Sequence, residues 1–301
     1  ETNANISGEI TLTVSPSFAD MPETDWAALS GADRNAVDAP YNPFVSHAFL
    51  SSLEDSGCAA RESGWLGQHL FLRSAEGTLL GAVPCYLKSH SQGEYVFDHG
   101  WADAFERAGG QYYPKLQVSI PFTPASGPRL LVSQKASPDA VRQALAEGLK
   151  TLTERLGVSS AHVTFAVDED IAALERAGFL MRTDQQFHFF KRDYGSYDDF
   201  LATLASRKRK ALKKERRTAA ENGIEIDWLT GADLAEAVWD DFFGFYMDTG
   251  SRKWGRPYLN RRFFSLIGER MSDDILLVMA RRNGRYIAGA INFIGSDTLF
   301  G

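Results

Sequence analysis

Between Arg207 and Arg217 the sequence RKRKALKKERR sets eight basic residues against one glutamate. No fold can bury such a run, because each unpaired charge taken out of water costs several kcal/mol. The stretch must lie on a surface or face an anion. Around it, Leu201, Leu204, Ala211, Leu212 and Ala219 recur at helical spacing and predict one helix over residues 196–223. Ser196 serves as its N-cap, Asp198 and Asp199 suit the positive helix start, and Asn222-Gly223 stops it. Arg209, Lys213, Arg216 and Arg217 share the face opposite the apolar stripe, whereas Lys208 sits on the stripe, where a lysine either snorkels out or meets a partner. The segment carries +7 in a chain of net charge −7, so the remainder sums to −14. Such segregation argues against a general nucleic-acid coat and for one local anion site, with a merely solvated basic face as the plain alternative.

A length of 301 residues accommodates two domains, each able to bury a core. No run of about 18 apolar residues is present, so no membrane insertion is expected. The sequence shows no secretory signal segment, and its two cysteines, Cys58 and Cys85, make no disulfide or metal framework and read as small buried residues. A reducing, cytoplasmic setting fits best. The chain starts at Glu1 without methionine and stops at Gly301 just after two strands, which reads as a trimmed piece of something longer.

In chain order, EITLTVSPSF reads as a strand, and a short helix is expected near Thr24–Leu29. Another helix begins at Ser46 with Phe49, Leu50 and Leu53 inward. His47, in its first turn, has a capping or packing role. QHLFLRSAEGTLLGAVPCYLKSH gives two strands around Glu76-Gly77, interrupted on the return by Gly81 and Pro84, which predict a bulge or an edge. Residues 94–127 are rich in aromatics, Gly and Pro and show no period over their first half, the composition of a functional loop. There Asp98 or His99 is a candidate proton handler, and Trp101, Tyr113 and Lys115 are candidate pocket walls. Packing aromatics over a capped turn is the structural alternative. A strand (LQVSIPFTP), a helix over 138–156, a strand (SSAHVTFAV), a short helix ending at Gly178 and a closing strand (FLMRTDQQFHFFKRD) complete the first unit. His162 and His188 fall in strands and are read as structural. After the basic helix the order restarts with IEIDWL, two helices, and two strands around Asn283-Gly284.

This order, once complete and once partial, resembles the Gcn5-related N-acyltransferase (GNAT) fold. Two such units joined by a basic helix resemble the FemABX-type aminoacyltransferases and the wider FemAB-like, peptidoglycan-biosynthesis-associated family, in particular its large bacterial branch of uncharacterised proteins. The stretches carrying the resemblance are NPFVSHAFLSSLEDSG, the block from Leu79 to Leu131, FLATLASRKRKALKKERR, DTGSRKWGRPYLNRRFF and GRYIAGAINFIGSDTLFG. The fold implied is α+β: tandem GNAT-like units of mixed, mainly antiparallel sheets flanked by helices. They divide as 1–195, a linking helix over 196–223, and a second unit over 224–301 that is truncated at its C-terminus.

The activity implied is N-acyl transfer, an amine attacking an acyl-coenzyme A thioester or an aminoacyl-tRNA ester. Such chemistry needs a base near the amine and donors for the carbonyl oxygen. By the same resemblance Arg209 and Lys213 would grip phosphates of a small anionic acceptor in a cleft between the units, with Lys208 beside them. In the Gly-rich DTGSRKWGRPY segment Arg252, Lys253, Trp254 and Tyr258 fit a donor or acceptor pocket, with a solvated loop around a packed Trp as the plain alternative, and Tyr258 joins Asp98 and His99 as a candidate catalytic group. The GNAT pyrophosphate loop is not legible, since PASGPRL is a poor substitute for free amides at a helix start. The competing reading is a degenerate pair that binds an anionic glycan, nucleotide or RNA without turnover. An RNA-binding arm alone is disfavoured, because no aromatics interleave with the basic residues.

Overall fold

The computed structural model describes residues 9–36, 40–252 and 256–301. In the first 195 residues the chain runs through β1 (Ile10–Ser15), α1 (Glu23–Trp26), α2 (His47–Asp55), β2 (Trp65–Gly67), β3 (His69–Ser74), β4 (Leu79–Val83), β5 (Cys85–Lys88) and α3 (His99–Arg107). It continues with β6 (Lys115–Val118), β7 (Leu131–Val132), α4 (Pro138–Leu156), β8 (Ala161–Val163) and α5 (Asp168–Arg176). Next come α6 (Tyr197–Ala202), α7 (Ser206–Ala220), β9 (Ile224–Leu229), α8 (Glu236–Arg252) and α9 (Arg261–Arg270), and then β10 (Ile275–Arg282), β11 (Arg285–Ile294) and β12 (Leu299–Phe300).

Three sheets result, in the strand orders β1-β3-β4-β7, β2-β5-β6-β8 and β12-β11-β10-β9. All pairings are antiparallel except β6 with β8. The first two sheets are joined by strands that pass from one into the other. Pro84, lacking an N–H for the ladder, separates β4 from β5, and Gln68 separates β2 from β3 while its amide reaches Cys85 O at 2.8 Å. The expected bulge lies where Leu72 pairs Gly81 and Arg73 pairs Leu79, leaving Leu80 as the extra residue.

Alternation gives these strands two different faces. Leu70, Leu72, Val83, Cys85, Leu116 and Val118 point to one side, where Val141, Leu145 and Leu149 of α4 and Ala173 and Leu174 of α5 close an apolar core. Phe71, Ala82, Tyr86 and Trp65 point to the other and belong to a second cluster that takes in both halves of the chain. Helix α2 is the bridge. Ser46 caps it, as its sequence predicts, and it presents Phe49 to Phe263 of α9 and Phe293 of β11 at ring separations of 5.7 and 5.5 Å. Phe44, just ahead of it, packs on Phe293 and Phe300 at 5.0 Å each.

Several expectations are corrected. Residues 196–223 form two helices rather than one: α6 docks through buried Leu201, Thr203 bonds back to Phe200 O, and the chain turns extended at Ala205 before α7 begins. The supposed closing strand over 179–193 has no ladder partner among the described residues. Leu180 and Phe187 are 96% and 89% exposed, and His188 is an exposed side chain outside any strand. Residues 99–107, lacking an obvious period, form α3, whose single buried side chain is Ala102. The strand expected across SSAHVTFAV shrinks to the half-buried β8.

Candidate functional site

The face of β2-β5-β6-β8 turned away from α4 is unusually polar. Register places Trp65, Lys88 and Lys115 in one row across three strands, and Gly67, Tyr86, Gln117 and His162 in the next row on the same side. Ser119 continues it. Lys88, Lys115 and Gln117 are 0% exposed. The segment 89–114 roofs this face, bringing down Ser91, Glu94, Asp98 and Tyr112, all buried.

The centre of the arrangement is Lys115. Its Nζ donates to Asp98 Oδ2 at 2.6 Å, Glu94 Oε2 at 2.8 Å and Ser91 Oγ at 3.0 Å, so all three ammonium hydrogens are placed. Tyr112 also donates to Asp98 Oδ2 at 2.8 Å, and the Ser91 and Tyr113 hydroxyls lie 2.7 Å apart. Burial alone would raise the Asp98 carboxyl, but its hydrogen bonds, led by that from Lys115, outweigh burial and hold it at about 2. Asp98 is therefore an ionised anchor at neutral pH rather than a proton acceptor. Burial pushes Glu94 the other way, upward from the ordinary carboxylate range.

Lys88 is differently placed. Its Nζ donates to Gln92 O at 3.2 Å and sits 3.5 Å over the Trp65 ring, without reaching either carboxylate in a salt bridge. Burial, helped by the charge of Lys115 and opposed by that of Glu94, lowers its ammonium to about 7. Burial likewise lowers His162 to about 4, so its imidazole is neutral near pH 7. Beside this patch His69 accepts from the Cys85 amide at Nδ1, which leaves Nε2–H to donate to Glu54 Oε1 at 2.7 Å. Buried Cys85 has its thiol raised to about 12 by desolvation and is inert as a nucleophile.

The structure gathers some of the candidate residues and disperses others. Asp98, Tyr113 and Lys115 meet in the buried cluster. His99 starts α3 with its side chain exposed, and Trp101, 64% exposed, carries Arg182 over its ring at 5.4 Å. Tyr258 stacks on Phe122, far from it in sequence, at 5.0 Å and 15°. Arg252 ends α8 in an exposed ion pair with Asp248. Lys253 and Trp254 lie outside the described residues. The basic helix does not line a cleft: no residue of α7 is buried, Lys208 is exposed, Lys213 pairs with exposed Asp198 at 2.8 Å, and Arg209 reaches back to Ala202 O at 3.5 Å. Its position follows from its composition, because Ala211 and Leu212 give it only a thin apolar strip with which to lean on β9.

Sequence reasoning passed over Lys88, Glu94 and Gln117 as ordinary strand and loop residues. Polar side chains at every second position of two adjacent strands, 86 and 88 beside 115, 117 and 119, were the available signal.

Coenzyme A, which the GNAT resemblance implies, would need free amides for its pyrophosphate. In the PASGPRL segment the Arg129 and Leu130 amides both donate to Asp170 Oδ2, at 2.6 and 3.2 Å, and the Gly127 amide donates to Phe165 O at 3.0 Å. The buried Arg129 guanidinium is spent on the carbonyls of Ala125, Pro128 and Thr164. These residues do not fit the group. Among the described residues no cluster of three His, Cys, Asp or Glu could hold a metal, and no helix is long and apolar enough to cross a membrane.

Antiparallel sheets with helices, and a lysine-carboxylate cluster beneath a roof, define a mixed α+β protein with a screened polar site. The chain matches the FemAB-like family, described as peptidoglycan biosynthesis/recognition, over residues 17–301, and it belongs to that family. No curated protein matches it. Among solved structures, an acetyltransferase of Trypanosoma brucei is similar at 14% identity and a TM-score of 0.33, covering 60% of this chain and 100% of that one.

Proposed function

We propose that the protein is a GNAT-type N-acyltransferase that moves an acyl or aminoacyl group from an activated donor to the amine of an anionic, cell-wall-precursor-like acceptor. Acyl-coenzyme A and aminoacyl-tRNA are the donors to be compared. Family membership supports transferase chemistry in peptidoglycan biosynthesis. The observation that carries the reading is the water-screened cluster of Lys88, Lys115, Glu94 and Asp98.

Transfer to an amine needs a group that can take a proton near neutrality, and Lys88, lowered to about 7, is such a group. Asp98 stays ionised and orients Lys115 and Tyr112, whose hydroxyl remains protonated because burial and Asp98 raise it. Tyr258 stacked on Phe122 gives an aromatic wall where the two units meet. Arg209 and Lys213 enter the proposal as contacts for acceptor phosphates from the exposed face of α7.

Thermal-shift titrations with acetyl-coenzyme A, an aminoacyl-tRNA and a nucleotide-linked peptide precursor test the reading. Saturable stabilisation by one donor and by the precursor is expected, with precursor affinity falling at least tenfold on reversing both Arg209 and Lys213 to Glu. Binding without turnover is the second reading, favoured by the closed roof and the Asp170-engaged amides. A response to the precursor alone, with no transfer from any donor, would establish it.

A further inference from the structure

Helix α7 is engaged on two sides and bare on a third. Its half-buried Ala211 and Leu212 lie towards β9, while Lys213 pairs with Asp198 at 2.8 Å and Arg216 covers the Tyr197 ring at 4.6 Å, both partners belonging to α6. The arc left over holds Arg207, Lys210, Lys214 and Arg217, which recur at three- and four-residue spacing and are all exposed. Among the described residues Arg207, Lys210 and Lys214 make no salt bridge, and Arg217 pairs only with Glu221 one turn on, at 3.1 Å. The unspent charge of the run is thus a different set from Arg209 and Lys213. An apolar surface adjoins it. Phe189 packs on Phe200 at 5.4 Å, Phe200 on Tyr197 at 6.0 Å, and Tyr197 lies under Arg216, so contact is continuous from the segment before α6 to the basic helix. On that segment Leu180, Met181, Phe187, Phe189 and Phe190 are 96%, 61%, 89%, 70% and 75% exposed, a concentration that marks an interaction surface rather than scattered surface residues. Gln186, donating to Pro124 O at 2.6 Å, and Arg182, over the Trp101 ring at 5.4 Å, hold the segment in place.

We propose that this surface docks the protein on an anionic lipid bilayer, with Arg207, Lys210, Lys214 and Arg217 meeting headgroup phosphates while Leu180, Phe187 and Phe189 enter the boundary between headgroups and acyl chains. Charge selects the partner. The basic run carries +7 and the rest of the chain −14, so an anionic sheet attracts this patch and repels the remainder. The apolar half selects against a nucleic acid, because Leu180 and Met181 offer a base no flat face, whereas the acyl boundary covers aliphatic and aromatic side chains alike. A symmetric pair of copies meeting through this patch would set two basic arcs side by side, where like charges repel. Docking of this kind lies on the membrane and needs no spanning helix, in keeping with the described residues. It is independent of the transfer chemistry, since no residue of the cluster around Lys88 and Lys115 takes part.

The test is co-sedimentation of the full chain with phosphatidylcholine vesicles containing about 30% phosphatidylglycerol, beside vesicles of phosphatidylcholine alone and a separate arm with polyuridylate. Binding to the anionic vesicles but not the neutral ones, weakening as salt is raised, is the expected result. A cation near an anionic surface is worth about fivefold in binding, so Lys210→Gln with Lys214→Gln should weaken it about 25-fold. Leu180→Ser with Phe187→Ser should weaken it by at least about tenfold, because both apolar side chains leave the acyl boundary. All four positions are exposed, so neither pair should move the melting temperature, and lost binding reports the surface rather than the fold. The inference is overturned if the anionic vesicles are not bound, if neutral vesicles are bound as tightly, or if the Leu180 and Phe187 pair binds unchanged. Retention of polyuridylate without vesicle binding would give the basic arc to RNA instead. A concentration-dependent rise in mass that Leu180→Ser with Phe187→Ser abolishes, again without vesicle binding, would give the apolar segment to a second copy.

Discussion

Replacing Lys88 with Met isolates the most consequential charge in the protein. The unbranched stem keeps its place on the Trp65 ring, so the substitution removes the ammonium while conserving most of the volume. In the folded chain this ammonium is lowered to about 7 from an ordinary 10.5. Between those values the folded state holds fewer protons than the unfolded one, so the Lys88 contribution makes stability rise with pH; below about 7 the full cost of burying the charge is present. Integrated from pH 7 to 9, the difference in bound protons amounts to about 1.7 pH units, which at about 1.4 kcal/mol each is about 2 kcal/mol. Cys85 is not among the groups that feel the Lys88 charge, so the difference between the two chains reports Lys88 together with Glu94 and His90, the two groups whose titration its charge lowers. Urea unfolding at pH 7, 8 and 9 is the assay. With a slope of about 3 kcal/mol/M, the gap between wild type and Lys88→Met should change by about 0.7 M across that range. Parallel curves, with the gap constant to within about 0.2 M, would show that the ammonium is not held in a neutralising environment, and the case for Lys88 as a proton acceptor would go with it.

Two further outcomes follow from the same geometry. Lys115→Met strands Glu94 and Asp98 without a counter-charge and should cost about 3–5 kcal/mol, of which a second change, Asp98→Asn, should restore a measurable part in a double-mutant cycle. Phe49→Ala opens a cavity between α2, α9 and β11 and should cost about 3–5 kcal/mol, with both halves still melting in a single calorimetric transition.

Local rules carried much of the fold. Ser46, the apolar period of α4 and the Asn283-Gly284 turn, with φ of 53° and 76°, all appear where their chemistry requires. The misreadings come from tertiary competition. Phe187 and Phe189 alternate as a strand would, yet no described strand offers them a ladder. Thr203 and Ala205 break a helix that composition alone would continue. The site was half visible: Asp98 and Lys115 stood out in an odd segment, but Glu94, Lys88 and Gln117 become notable only once register sets them on one face. The basic run drew attention by charge density, the property that keeps it in solvent.

The phenylalanine contacts through α2 have a mechanical consequence. A molecule stapled at its waist by Phe44, Phe49, Phe263 and Phe293 is poorly built to yawn open like a clam.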